Sequence, residues 1–408
     1  MRIALIADSY VPARTSVAVQ MQDLAKELAS QGHEPTVIVP NAELTSAWSL
    51  DQVDGVEVLR IRAPRLKKVN YLRRAIGEFA LSLFMLRGLS WSPLRDVVWD
   101  GVAWYSPTIF LGPFVKVLKR QSGCRTYLIL RDIFPDWALD LGVLRPGFAY
   151  RLLKLVERYQ YSVADVVGVQ SPANLQYMSD WARTPNRRLE VLNNWLIESE
   201  SELPPGSIVP TQFSDRTVLV YAGLMGHAQG LESLILLAER MRDRSDVGFL
   251  FVGDGTQVQR LRALATEKSL GNLVFHDEIE PREVTALLAE CHIGLLALDP
   301  RLKTHNIPGK FLAYLRAGLP VLAVVNAGND LEQLIPTEGV GRVCIGDSLD
   351  ELHGMAEELI ANPTERDRMG ARGKELMLSM FSASRAAEQL VAGLRPTSVV
   401  ADSKKLVS

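Results

Sequence analysis

The stretch from Ile293 to Asp330 carries the densest group of side chains that could bind phosphate. A buried apolar strand leads into a basic loop, and a helix follows that ends at Gly318 and Pro320. Asn306 suits the N-cap of this helix, and Pro308 suits its first turn. Phosphate binds at helix starts because unpaired N–H groups and the positive end of the helix dipole point there. The residues predicted to take part are Lys303, His305, Asn306, Pro308, Gly309 and Lys310.

A simple structural role is the alternative for this loop and for a second, glycine-containing turn. The loop lysines could be solvated without binding a ligand. Gly253-Asp254-Gly255 follows the apolar run 247–252 and precedes a predicted helix. The two glycines would let a nucleobase or ribose approach the backbone, but a tight turn would need them equally. The pattern leaves both interpretations open.

In the first half, the loop after the first predicted strand lacks the glycines of a dinucleotide fingerprint, which disfavours an NAD site. Thr15 or Ser16 is suited to cap the next helix, and Arg14 could meet an anionic group. Capping alone is the alternative for these residues. We expect the loop to lie over a cleft.

Arg131 and Asp132 come directly after the apolar strand 125–130. A charged pair at the carboxyl end of a strand is a candidate for acid–base or sugar-binding chemistry. The alternative is an internal salt bridge that shapes the loop. Tyr105 and Ser106 are predicted to lie on the neighbouring loop and to line the same cleft.

Several familiar site patterns are missing from the sequence. The six histidines show no paired spacing, and no two aspartates are separated by a single residue, so a DxD metal–nucleotide site is not predicted. There is no GxSxG and no Walker sequence. The three scattered cysteines fit neither a disulfide framework nor zinc spacing, which favours a reducing compartment. We expect neither a metal nor a resident cofactor.

Charge is unevenly distributed along the 408 residues. Residues 1–195 contain 24 basic and 18 acidic residues, whereas the remainder contains 21 and 29. The basic excess concentrates in residues 60–95 and surrounds an apolar stretch in which Phe79, Leu83 and Leu86 share helical spacing. An ordinary surface helix is one interpretation. The other, which the charge asymmetry favours, is an interface with anionic lipid.

Strand and helix patterns alternate along most of the chain, which is typical of an α/β fold with doubly wound parallel sheets. The alternation breaks at 198–216, a stretch with three prolines that reads as a linker. We therefore predict an amino-terminal domain at 1–197, a carboxyl-terminal domain at 217–385 and a tail at 386–408. No apolar run approaches the ~20 residues of a spanning helix.

Five short runs together resemble the GT-B glycosyltransferases of the large retaining family called family 4 or group 1. The resemblance covers about residues 1–390 and implies two Rossmann-like domains that face each other across a cleft. It also implies that the second domain, including Gly223, binds a sugar nucleotide. The runs are Gln31–Val39, Leu192–Asn194, Tyr221–Gly223, Val252–Gly255 and Ala317–Val321.

The chain departs from this family at residues that usually bind the donor. Two family glutamates are replaced by His305 and Ala313, and the usual phosphate-binding Arg and Lys are replaced by Leu224 and Gln229. A different set must therefore bind the donor. We expect Lys303 and Lys310 to hold the diphosphate, Gln229 to lie in the nucleotide site, and His305 to contact the sugar.

The departures resemble a subgroup, the N-acetyl-L-fucosaminyl transferases of bacterial O-antigen and capsule assembly. This resemblance implies a UDP-linked 2-acetamido-6-deoxyhexose as donor and a polyprenyl-diphosphate-linked sugar as acceptor. It places the protein on the inner face of the cytoplasmic membrane, with no nucleic acid among its partners. The runs are Leu130–Ala138, Tyr105–Phe110, Ala228–Gly230, Lys303–Lys310 and Gly328–Asp330.

Two other classes remain open from the residues alone. A sugar-nucleotide 2-epimerase would share the two-domain architecture but would need no acceptor. A non-catalytic partner subunit would keep the fold without the family glutamates. In the preferred interpretation, Asp132, Arg131 and His305 are the catalytic candidates.

Overall fold

The computed structural model describes residues 1–13, 15–66, 70–106, 108–140, 142–197, 208–302 and 307–396. The alternating apolar and amphipathic segments form two α/β domains, each built on its own sheet. In the first domain, as far as it is described, eight strands lie in the order β3-β4-β2-β1-β5-β6-β7-β8. All neighbours are parallel except β3 and β4. These strands are β1 (Arg2–Ile6), β2 (Glu34–Asn41), β3 (Trp48–Val53), β4 (Val56–Arg62), β5 (Gly101–Tyr105), β6 (Arg125–Leu130), β7 (Val166–Val169) and β8 (Arg188–Val191).

Helices connect these strands and cover both faces of the sheet. A 3₁₀ helix at Pro172–Met178 follows β7. The α-helices of this part of the chain are α1 (Ser16–Ser30), α2 (Tyr71–Ser90), α3 (Gly112–Ser122), α4 (Asp136–Asp140), α5 (Phe148–Val163) and α6 (Ser179–Ala182).

The second domain has a parallel sheet with the order β11-β10-β9-β12-β13-β14. Its strands are β9 (Thr217–Ala222), β10 (Val247–Val252), β11 (Leu273–His276), β12 (Ile293–Ala297), β13 (Val321–Val325) and β14 (Gly341–Ile345). Its helices are α7 (Glu232–Arg240), α8 (Val258–Glu267), α9 (Pro281–Ala289), α10 (Gly309–Ala317), α11 (Leu331–Glu338), α12 (Leu349–Ala361) and α13 (Pro363–Met380).

Apolar clusters fill both faces of each sheet, which explains why the strands read as continuous apolar runs. All six residues of β10, for example, are buried. Polar residues appear where the strands end, and the carboxyl ends of parallel strands lie at one edge of each sheet. Ligands bind at this edge in folds of this kind.

The predicted tail at 386–408 is wrong over its first part. A last helix, α14 (Ala383–Leu394), crosses back and packs in the core of the first domain. Its fit is close, since a Cβ on Gly101 would lie 2.7 Å from Leu394 Cδ1. The predicted tail beyond residue 396 lies outside the described residues. The chain therefore contributes to the first domain at both ends of the described part.

Two further differences concern short elements. β3 was not predicted because polar residues interrupt it, and its antiparallel pairing with β4 is a long-range feature. Of the predicted linker, residues 198–207 lie outside the described residues. The remainder includes Phe213, which is buried against the second domain and lies where a Cβ on Gly248 would fall.

Candidate functional site

The carboxyl edges of the two sheets meet through hydrogen bonds between residues that follow the strands. Gln170, after β7, donates from Nε2 to the Ile307 carbonyl at 2.6 Å. Asn194, beyond β8, donates from Nδ2 to the same carbonyl. The Ala173 N–H donates to the Asp330 carboxylate at 3.2 Å. These contacts place the start of α10 at the junction of the domains.

Helix α10 begins as a phosphate-binding helix would. Pro308 is its N-cap and has no side-chain cap. Within the described part of the chain, no hydrogen bond occupies the N–H groups of Gly309 or Lys310. Two backbone donors and the positive end of the helix dipole are thus available to an anion. The predicted cap is therefore wrong: the helix begins at Gly309, and Pro308, predicted for the first turn, takes the N-cap position expected for Asn306. Asn306 itself lies outside the described residues.

Lys310 extends from this helix start toward the end of β9. Its Nζ lies 5.0 Å from the centre of the Tyr221 ring, and its Cε lies 3.4 Å from where a Cβ on Gly223 would be. No carboxylate of the described residues forms an ion pair with Lys310. Burial therefore lowers the pKa of this ammonium group to about 8. An ammonium group that is desolvated and lacks a carboxylate partner is strongly stabilised by an anionic ligand.

The loops after β9 and β10 are joined tightly next to Lys310. Gly223 N–H donates to Val252 O at 2.9 Å, and Met225 N–H donates to Asp254 O at 2.8 Å. A Cβ on Gly253 would lie 2.1 Å from Gly223 O, and Gly253 has φ +142. A Cβ on Gly255 would lie 2.3 Å from the carbonyl oxygen of Met225. Loop packing by itself therefore accounts for both glycines.

Gln229 and Asp254 shape these loops from within. Gln229 Oε1 accepts from Gly226 N–H at 2.9 Å and closes the turn after β9. Asp254 Oδ1 accepts from the Gly255 N–H at 2.7 Å and is exposed. Next to this turn is a cavity of about 40 Å³, room for about one water molecule. Hydrogen bonds within and between these loops therefore fix the turn after β9 and the turn after β10.

On the opposite side, Asp132 follows β6 and is half-buried. Burial raises its pKa to about 6; Arg131 opposes this change and Asp8 adds to it. A carboxyl group with a pKa close to neutrality can exchange a proton with an acceptor hydroxyl. The Ser106 hydroxyl is 3.5 Å from the backbone carbonyl of Asp132 and donates to it.

Arg131 is buried, and backbone carbonyls of this chain accept hydrogen bonds from its guanidinium group. Its guanidinium donates to Leu192 O at 2.6 Å and to Asn193 O at 3.1 Å. It also lies 4.6 Å from the centre of the Trp195 ring. This geometry gives Arg131 a positioning role, because its donors hold the segment after β8. The predicted role in catalysis has no support from these contacts.

The first loop of the chain is held by short polar side chains. Thr15 is the N-cap of α1 and accepts from Ala18 N–H at 3.3 Å. Its hydroxyl also bonds to Ser9 at 2.8 Å, and Ser9 donates to Asp8. Ser16 is the first residue of α1, so Thr15 and not Ser16 caps this helix. Asp8 thereby comes close enough to Asp132 to influence its pKa.

Four predicted site residues are outside the described part of the chain, and a fifth is buried. Arg14, Lys303, His305 and Asn306 lie outside the described residues. Tyr105 is described, but it is buried rather than lining a cleft, and its hydroxyl donates to Gln20 Oε1 at 2.6 Å.

Three buried amides were not identified from the sequence as site residues. Gln20, Gln170 and Asn194 are each 4 % exposed. Gln170 lies directly after the apolar strand β7, and Asn194 lies in the run Leu192–Asn194 that carries part of the family resemblance. That placement is the signal that could have revealed them. Their hydrogen-bonding partners are distant in sequence and could not be predicted.

The basic segment 60–95 divides into two parts. Arg60 and Arg62 belong to β4 and donate to backbone carbonyls, while Lys67 and Lys68 lie outside the described residues. Helix α2 exposes Ile76, Phe79, Leu83 and Phe84, whereas Leu86 is partly buried against the core.

A second helix continues this apolar surface. α3 packs between α2 and α5, and α5 exposes a stripe with helical spacing. Exposed arginines at 73, 74, 151 and 158 flank the two stripes. The stripe on α5 consists of Phe148 (83 % exposed), Leu152, Leu155 and Tyr159. Helices α2 and α5, which both pack against α3, thus each present exposed apolar residues and arginines.

The described residues contain neither a metal-binding cluster nor a membrane-spanning helix. No group of three or more His, Cys, Asp or Glu side chains in that part of the chain could hold a metal ion. None of its helices is long and apolar enough to cross a membrane.

Comparison with known protein families identifies both domains. Residues 15–195 match the glycosyl transferase 4-like domain, and residues 209–376 match the glycosyl transferases group 1. The two matches meet at the predicted linker.

Individual proteins resemble the chain over most of its length. WbjE of Pseudomonas aeruginosa, named as a glycosyltransferase, is 26 % identical over 82 % of this chain and 83 % of its own. WcaI of Escherichia coli (strain K12), named as a colanic acid biosynthesis glycosyl transferase, is 26 % identical over 85 % of this chain and 88 % of its own. An Escherichia coli structure described as trehalose-6-phosphate bound with UDP-2-fluoro glucose aligns with a TM-score of 0.70 at 13 % identity. That alignment covers 97 % of this chain and 99 % of the other.

Proposed function

Because the chain is a GT-B glycosyltransferase that joins a glycosyl transferase 4-like domain to a group 1 domain, we propose that it transfers an amino sugar in bacterial surface polysaccharide synthesis. The donor is a UDP-linked 2-acetamido-6-deoxyhexose, and the acceptor is a sugar on polyprenyl diphosphate. The relationship to WcaI supports the polysaccharide role, and the resemblance to N-acetyl-L-fucosaminyl transferases supports the donor class. The comparisons favour a transferase over an epimerase or a non-catalytic subunit.

The observation that carries this proposal is the half-buried Lys310 side chain at the start of α10. Desolvation by burial lowers the pKa of its ammonium group, and no carboxylate of the described residues pairs with it. The backbone N–H groups of Gly309 and Lys310 lie beside it and have no partner among the described residues. The donor diphosphate would supply the missing negative charge. As the sugar–phosphate bond breaks, further negative charge develops on the leaving UDP. Lys310 and the helix start stabilise that charge without a metal.

The acceptor side is assigned to the first domain. Asp132 lies at the carboxyl edge of its sheet, with a pKa of about 6. It accepts a hydrogen bond from the acceptor hydroxyl and orients that hydroxyl toward the sugar. If the family pattern holds, the anomeric configuration is retained and the leaving phosphate receives the hydroxyl proton. His305 and Lys303 remain predicted contacts of the sugar and the diphosphate.

The apolar stripes of α2 and α5 support attachment to the inner face of the cytoplasmic membrane. Leu83 on α2 is 66 % exposed and Phe148 on α5 is 83 % exposed, which is costly unless another apolar phase covers them. The neighbouring arginines fit anionic headgroups. A lipid-linked acceptor would reach the first domain from this surface.

The test is transfer with defined substrates. Purified protein is incubated with UDP-2-acetamido-2,6-dideoxy-L-galactose and polyprenyl-diphosphate-linked N-acetylglucosamine, with excess EDTA. We expect UDP release that depends on the acceptor and persists in EDTA. Epimer formation without acceptor would favour the isomerase. Transfer that stops in EDTA would contradict metal independence.

A further inference from the structure

One phenol and two side-chain amides of the first domain form a directed chain of hydrogen bonds that ends on the second domain. Burial raises the pKa of Tyr105, so its phenol stays protonated and donates to Gln20 Oε1. Gln20 must then present Nε2 to Asn194 Oδ1, at 2.9 Å. Asn194 is left with Nδ2 as its donor, and this group bonds to Ile307 O. Each bond fixes the orientation of the next amide.

A second donor reaches the same carbonyl independently. Gln170 Nε2 lies 2.6 Å from Ile307 O, so both lone pairs of this carbonyl are used by the first domain. Ile307 is itself buried, and α10 begins two residues later. The carbonyl therefore anchors the chain immediately before Gly309 and Lys310.

Rigid neighbours hold the two donors in place. Arg131 donates to the carbonyls of Leu192 and Asn193, which brings Asn194 to its position. Trp195 lies under that guanidinium, and its indole N–H donates to Gln20 O at 2.8 Å. This arrangement occupies two donor groups of the buried Arg131, which is next to Asp132 in the chain. It connects the loop that carries Asp132 to the loop that precedes Lys310.

We propose that Gln170 and Asn194 are positioning residues: their amides clamp the Ile307 carbonyl and thereby set the donor-side helix start against the acceptor-side Asp132. The clamp holds the two domains in the arrangement needed for transfer. This inference rests on the proposed function for its catalytic consequence. Its structural consequence, the relative placement of the domains, does not depend on any substrate.

Isosteric variants test the clamp. Asn194→Asp and Gln170→Glu replace an amide donor by a carboxylate, which repels the Ile307 carbonyl at nearly constant size. We expect a larger radius of gyration by small-angle X-ray scattering in the ligand-free protein. We also expect kcat to fall by about 10- to 100-fold, the range expected when a buried carbonyl loses its partner. UDP affinity by calorimetry should change less than about threefold, because Tyr221 and Gly223 border Lys310 from within the second domain.

The matched control is Asn272→Asp. Asn272 is buried like Asn194, and its Nδ2 donates to Ala238 O at 2.9 Å within one domain. We expect this variant to lower the melting temperature and to leave the radius of gyration unchanged. Gln170→Ala is a milder variant that keeps the Asn194 bond, and we expect it to fold with an intermediate effect.

Two outcomes would overturn the inference. An unchanged radius of gyration with unchanged kcat in Asn194→Asp and Gln170→Glu would show that the clamp does not set the domain arrangement. A loss of UDP affinity as large as the loss of kcat would show that these amides serve the donor site alone. If the proposed substrates are wrong, scattering still reports the clamp.

Discussion

Lys310→Met should change stability and UDP binding in opposite directions. Lowering the pKa of Lys310 from 10.5 to about 8 corresponds to about 3 kcal/mol at ~1.4 kcal/mol per pKa unit. The side chain is only partly buried by its exposed area, so solvent screening reduces this cost to about 1–2 kcal/mol. Methionine fills similar space without a charge. We therefore expect the variant to melt about 2–4 °C higher than the wild type at pH 7.

The same substitution removes a charged partner of the donor diphosphate. A hydrogen bond to a charged group contributes about 1.5–3 kcal/mol, which corresponds to about 10- to 150-fold in affinity. Isothermal titration calorimetry with UDP and differential scanning calorimetry measure the two effects on the same samples. The control is Lys268→Met, which removes a lysine of the second domain that pairs with Glu239 at 2.8 Å. We expect this control to leave UDP affinity unchanged.

The pH dependence of stability tests independently whether the charge on Lys310 destabilises the folded protein. Since the pKa of Lys310 is lower in the folded protein, the unfolded chain binds more protons between pH 8 and 10.5. Wild-type stability should rise across this window relative to Lys310→Met. Equal UDP affinity in the two proteins, or a variant that is less stable at pH 7, would refute the assignment of Lys310 as an unneutralised donor-site cation.

Three further predictions follow from the site and the surface. The pH profile of kcat/KM should rise through about pH 6 as Asp132 loses its proton and fall above about pH 8 as Lys310 loses its proton. Asp132→Asn should remove the rising limb. A rising limb that persists in this variant would exclude Asp132 as the group that titrates. Gly253→Ala should destabilise the protein by about 1–3 kcal/mol in urea unfolding, because its Cβ would meet Gly223 O at 2.1 Å, while Gly271→Ala, with open space around it, should be neutral. The double variant Ile76→Glu/Leu83→Glu should no longer co-sediment with vesicles that contain anionic lipid. The control Leu378→Glu, exposed on α13, should co-sediment like the wild type. Equal binding by the wild type and both variants would contradict the membrane surface.

The sequence was sufficient for the architecture because its signals are local. Buried parallel strands such as β10 read as apolar runs, and the helices between them carry their own start and stop residues. α14 could not be placed, since its amphipathic pattern does not say which domain it covers. Its packing on Tyr127, through Gly393, joins residues that are far apart in the chain.

The candidate site was predicted in part. A helix start near Lys310 was predicted from the local composition and is present, whereas phosphate binding there stays a prediction. The sequence suggested that Arg131 acts in catalysis, whereas its contacts with Leu192 and Asn193 depend on tertiary placement. The contacts of the Gln170 and Asn194 amides were missed for the same reason, because their shared partner, the Ile307 carbonyl, is distant in the sequence.

The most direct test of the account is a single-turnover reaction between UDP-2-acetamido-2,6-dideoxy-L-galactose and a polyprenyl-diphosphate-linked sugar, with the product analysed by NMR. We predict one new glycosidic bond per UDP released, with the donor's anomeric configuration retained, and no UDP release when acceptor is omitted. UDP release without acceptor, or an epimerised donor in place of a disaccharide, would contradict the claim that this protein is an amino-sugar transferase acting on a lipid-linked acceptor.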